Sequence, residues 1–226
     1  PYESSLAGSH GKFGFFNTEA HTFKKIADEL GILCKSKPGE PLVYARHPLV
    51  YLVEAADDIC YEIMDIEDSH KLKILSFEKT KELLLGFFDE TIRNSIEQRI
   101  IDEGITDDNE KVIYMRACAI GKLENVCAHT FIEHEEEILN GTFQGCLIDH
   151  IPEPQHSAYK RCTEVSIQKI YKSKPVLDVE LSGFKIMETL MEIMTEAAVH
   201  HDRFYSRQLI SRVSSQYDIT SPDLET

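Results

Sequence analysis

The stretch EAADDICYEIMDIED (54–68) holds seven acidic residues, and three side chains in it, Asp57, Tyr61 and Asp65, recur at every fourth position. A helix turns about 100° per residue, so such positions line one ridge and can face one cavity. Carboxylate oxygens on such a ridge suit a hard divalent cation. By the same geometry Val50, Val53, Cys60 and Met64 lie within about 60° of Asp57, whereas Asp58 points about 100° away, beside Glu54, Glu62 and Asp65. Asp57 is therefore expected at the edge of a buried stripe. A charge there is stable if it binds a metal, pairs with a cation or caps a backbone group. The plainer alternative is a solvated acidic face with Asp57 salt-bridged to a core arginine. One aspartate does not make a metal site, so any other ligands must come from elsewhere.

The helix that must carry this ridge has a clear start. Pro48 suits the first helical position, and apolar residues recur at 49, 52, 53, 56, 60, 63 and 64 with a helical period. Helical patterns are also expected at 18–31, with Thr18 as N-cap and Gly31 as the stop, and at about 78–103, 108–139, 157–173, 178–199 and 202–217. Residues 34–41 (CKSKPGEP), 104–109 (GITDDN) and 151–155 (IPEPQ) are connectors. The one candidate for an extended piece is YKSKPVLDVEL (171–181). The fold class is all-α, one helical body.

Composition narrows the function. With 226 residues, 42% hydrophobic, the chain can build one substantial core or two small ones. A net charge of -15 excludes non-specific nucleic-acid binding through a generally basic surface, so an anionic substrate needs a metal or a local cluster of Arg and Lys. Six scattered cysteines with no C-x-x-C pair read as free thiols of a reducing, cytoplasmic setting. No run approaches the eighteen or so apolar residues of a membrane span.

The segment RHPLVYLVEAADDICYEIMDIED (46–68), with its A-A-D-D-I-x-Y-x-x-x-D core, closely resembles the part of the deoxyguanosine triphosphate triphosphohydrolases that carries their last metal-ligand Asp. These are HD-superfamily, metal-dependent phosphohydrolases. The resemblance continues in KFGFFNTE (12–19), KVIYMRACAIGKLENVCAHTF (111–131) and LNGTF (139–143), and so covers most of the chain. It implies an all-α helical body of the HD type, with 1–75 as the end of the metal-binding core and 76–226 as the helical region that follows. It also implies attack of water on the α-phosphorus of dGTP or another dNTP, releasing deoxynucleoside and triphosphate with the help of a divalent metal such as Mg²⁺ or Mn²⁺. Residue by residue, Asp57 matches the final metal-binding Asp. Tyr61 matches the Tyr bordering phosphates and sugar, and Asp65 the Asp that hydrogen-bonds the deoxyribose 3′-hydroxyl. Lys12 matches a Lys that approaches the triphosphate, and Arg116 an Arg that faces phosphate. For these two a surface Lys, and a structural Arg paired with acids of the 48–71 helix, are equally good readings. Arg46 is a third phosphate contact or, alternatively, holds the helix start.

The family's first His, its His-Asp pair and a further catalytic His have no counterpart here and are expected upstream of residue 1, which makes the chain a fragment that is inactive alone. The literal His-Asp in VHHDRF (199–204) lacks the flanking Gly-His-Pro residues, and His200, His201 and Asp202 are expected to form a helix-end and capping cluster. HTFIEHEEEI (129–138) reads as a solvated face rather than a metal box. The resemblance further implies a homo-oligomer and leaves single-stranded DNA open as a partner. The rival reading is a non-catalytic helical regulatory or oligomerisation module.

Overall fold

The computed structural model describes residues 15–40 and 42–214. Among these the chain is all-α, and the only strand-like pairing is a single antiparallel bridge between Cys34 and Tyr44, on either side of the 35–43 loop. Cα packing divides the chain into two compact units, Pro1–Tyr171 and Lys172–Thr226.

In the first unit α1 (Ala20–Leu30) ends, as its sequence predicts, on Gly31 in the left-handed conformation. Its start differs: Thr18 lies in a 3-10 turn, Asn17–Glu19, and Glu19 is the N-cap. The long α2 (Pro48–Lys71) opens with Pro48 behind His47, whose Nδ1 accepts a hydrogen bond from Leu49 N at 3.2 Å. The expected helix at 78–103 is two helices, α3 (Phe77–Leu85) and α4 (Glu90–Asp102). Gly86 closes the first, buried Phe87 and Phe88 turn the chain inward, and Asp89 caps the second by accepting from Ile92 N at 3.0 Å. Asp107 caps α5 (Asp108–Glu133) by accepting from Asn109 N and Glu110 N. The pattern breaks at His134 before the short α6 (Glu135–Leu139). After 151–155 comes α7 (Gln155–Val165), which runs directly into a π-helical turn, Ser166–Ile170.

The core of this unit is one cluster. Tyr51, Ala55, Ile59, Ile63 and Ile66 of α2 pack with Val112, Met115, Ala119, Leu123 and Val126 of α5, and with Leu83, Leu84 and Phe87. Burying a side chain of this size contributes about 1.5–3 kcal/mol, so the α2–α5 seam is the main source of stability.

The second unit pairs α8 (Lys174–Val199) with α9 (Phe204–Ile210), where Ala197 and Ser206 are buried. Residues 171–181 are not extended: Pro175 falls in the first turn of α8, where its missing N–H costs nothing, and Ser173 stands at the N-cap. VHHDRF forms the turn between the helices, as expected of a helix end. Asp202 does not cap, because the N-cap of α9 is Arg203 and no side chain bonds there.

Candidate functional site

Helix α2 presents two apolar faces, and the core takes the one that Asp57 does not share. The buried apolar positions are 51, 55, 59, 63 and 66. Val50, Val53, Cys60 and Met64, the residues around Asp57, are exposed, Val53 by 69%. The expectation that Asp57 edges a buried stripe is therefore corrected. It lies on an exposed ridge beside apolar side chains, because periodicity reports that a face is apolar without saying which face is covered.

The acids of α2 are engaged almost throughout. Arg46 stacks over the Tyr51 ring at 4.4 Å and pairs with Glu54 at 2.6 Å, so it holds the helix start. Asp58 has a partner as well, and its carbonyl accepts the Tyr159 hydroxyl at 3.2 Å. Glu62, 8% exposed, accepts from Ser166 at 2.7 Å and Thr163 at 2.9 Å. Burial pushes its pKa up, the two hydroxyls oppose that, and the charge of Asp65 adds to the rise, leaving it raised. Asp65, half-buried, accepts the Tyr171 hydroxyl at Oδ2, 2.6 Å away. Glu67, 2% exposed, lies between Lys71 at 2.6 Å and Arg116 at 2.5 Å, and Lys71 also reaches Asp68. Burial raises the Glu67 pKa, but hydrogen bonds from Lys71 and Arg116 outweigh it, and the carboxyl ends below the usual range. Asp57 is the exception: among the described residues its carboxylate has no ion pair and no hydrogen bond.

Of the site residues expected from sequence, Asp57, Tyr61 and Asp65 share the ridge, with Tyr61 68% exposed. Arg116 stands apart, held by Glu67, about 80° around the helix from Asp57. Lys12 lies outside the described residues. Two participants escaped sequence reading, Glu62 and Tyr171. Glu62 looks like one more surface acid, and Tyr171 is 106 positions from its partner, so neither carried a local signal.

The fit of a divalent metal can be judged from the donors. Asp57 offers an unpaired hard oxygen, which suits such an ion. No group of three or more His, Cys, Asp or Glu that could hold a metal occurs among the described residues, so they supply one ligand and not a site. His134 and Glu137 of the 129–138 stretch face each other at 3.4 Å. No helix of the described chain is long and apolar enough to cross a membrane.

No protein-family model matches the chain. Curated relatives do. The chain is 29% identical over 215 residues to a deoxyguanosinetriphosphate triphosphohydrolase-like protein of Pseudomonas aeruginosa (strain LESB58), covering 92% of this chain and 47% of that protein. A protein of the same description from Synechocystis sp. is 30% identical over 183 residues, 80% of this chain and 38% of its own length. The deoxyguanosinetriphosphate triphosphohydrolase of Yersinia enterocolitica is 26% identical over 192 residues, covering 80% and 36%. The chain spans less than half the length of each.

Proposed function

Starting from this homology with the deoxyguanosinetriphosphate triphosphohydrolases, we propose that the chain is part of a longer, metal-dependent dNTP triphosphohydrolase with dGTP as its preferred substrate. The reaction adds water at the α-phosphorus and breaks its bond to the 5′ oxygen, giving deoxynucleoside and triphosphate. The observation that carries the reading is the isolation of Asp57. Every other acid of α2 has a partner within the fold, whereas among the described residues this one is left uncommitted beside Tyr61 and Asp65.

In this reading Asp57 is one metal ligand, and the remaining ligands come from outside the described residues. A divalent ion, when bound, supplies an acidified water at neutral pH. Tyr61 lies along the phosphates and sugar, with its exposed phenol available to donate to a phosphate oxygen. Asp65 accepts the 3′-hydroxyl. Lys12 contacts the triphosphate, a role that rests on the resemblance alone. Arg116 could reach phosphate only by giving up Glu67, so we assign it to holding α5 against α2. Assembly into homo-oligomers belongs to the same proposal, and the many exposed apolar residues of α8, Phe184 and Met191 among them, support it.

The test is triphosphate release from dGTP with Mg²⁺ or Mn²⁺ in the longest protein that contains this chain. Asp57→Ala is expected to lower turnover by about a thousandfold, the scale of losing a charged group needed in the transition state. Wild-type turnover in Asp57→Ala would overturn the assignment.

A further inference from the structure

Along one flank of α2, four side chains from the α7 region reach across in sequence. Tyr159 bonds at position 58, Thr163 and Ser166 at 62, and Tyr171 at 65. The spacing follows the helix, so α7 and the π-helical turn lie against that flank. Ser166 is fully buried, and its hydroxyl is committed to Glu62 at 2.7 Å. Glu62 therefore pins the start of the turn, and the turn delivers Tyr171 as the first residue beyond it. A π-helical turn takes i→i+5 bonds in place of i→i+4, which shifts the angular position of everything after it. The Tyr171 N–H closes such a bond to Ser166 O at 2.9 Å.

The phenol meets Asp65 through Oδ2 at 2.6 Å, a short, charge-assisted bond. Among the described residues Oδ1 has no hydrogen-bond partner. A carboxylate anchored at one oxygen leaves the lone pairs of the other for a second donor. Resting on the reading of Asp65 as the 3′-hydroxyl acceptor, we infer that Tyr171 is a positioning residue: it clamps the Asp65 carboxylate at Oδ2 so that Oδ1 accepts the sugar 3′-hydroxyl. Recognition of that hydroxyl then depends on a residue 106 positions away that need not touch the substrate.

The experiment compares dGTP with 2′,3′-dideoxyGTP as substrates for the longest protein containing the chain, in wild type, Tyr171→Phe, Glu62→Gln and Asp65→Ala. The phenylalanine keeps the ring and removes only the donor. It is expected to raise KM for dGTP roughly fivefold, the scale of one lost hydrogen bond, with kcat within about twofold and the dideoxy substrate unaffected. Glu62→Gln, which loosens the anchor of the turn, gives a smaller loss of the same discrimination and serves if Tyr171→Phe fails to fold. Asp65→Ala, which removes both carboxylate oxygens, abolishes the discrimination. If Asp65→Ala abolishes it while Tyr171→Phe and Glu62→Gln leave it intact, the clamp is wrong and the reading of Asp65 stands. If none of the three changes it, the reading of Asp65 fails and takes the clamp with it. Equal losses on both substrates in Tyr171→Phe would mark a merely structural contact and overturn the clamp.

Discussion

Glu67 and Asp57 are carboxylates ten residues apart on one helix, and their surroundings give them opposite tasks. Glu67 is buried between two cations, a geometry that stabilises only while all three groups are charged. Its lowered pKa means that the folded state holds the ionised form more tightly than the unfolded chain does. The contribution is therefore present above the ordinary carboxylate pKa and is lost as pH falls through the lowered value. Glu67→Gln should cost about 3 kcal/mol near neutral pH by leaving Arg116 underpaired. The gap to wild type should close as acid protonates Glu67, and urea titrations across pH 2–7 read this directly. A gap that stayed constant with pH would show that the pair contributes by shape and not by charge. Asp57 has no such role in stability, which is why Asp57→Ala tests function so cleanly. At this scale the sequence was legible where spacing carried the information: Asp57, Tyr61 and Asp65 share a ridge because 4 is close to 3.6. It was silent on Tyr171 and on which cation Glu67 would take, since both are contacts of high sequence separation.

Among the elements, local chemistry was readable and coverage was not. Pro48, Gly31 and the 104–109 break each act through their own backbone preferences, so the boundaries they mark survived folding. The expected 78–103 helix failed because Phe87 and Phe88 were worth more in the core than in a continuous helix. The 171–181 segment was misread because Ser-Lys-Pro serves a turn and a helix start equally. LNGTF contains a stricter requirement. Gly141 has φ +67°, and a Cβ there would fall 2.8 Å from the Ala45 Cβ in the connector ahead of α2. Gly141→Ala should thus destabilise by about 2 kcal/mol, combining left-handed strain with displacement of the strip that leads to His47 and Pro48. Thermal melts would show it, and an unchanged melting temperature would mean that the connector yields freely.

For the whole molecule, the question is whether the ridge is held by one cooperative body. The buried cluster of the first unit runs without interruption from Tyr51 to Ile170, so α2, α5 and α7 should lose their packing together. Two thiols report this from different helices. Burial pushes Cys127 on α5 up to about 11 and Cys162 on α7 up to about 12, so both are protonated and inert in the fold. Cys34 and Cys60 are exposed and should react with a disulfide reagent at once, which makes them internal controls. With increasing urea, Cys127 and Cys162 should become reactive at one shared midpoint, as unfolding exposes each and returns it to the range of a free thiol. An earlier midpoint for Cys162 would mean that α7 peels away first. In that case the Glu62 anchor and the Tyr171 clamp would open while the α2–α5 seam stayed closed, and Asp65 would lose its partner well before the protein unfolds.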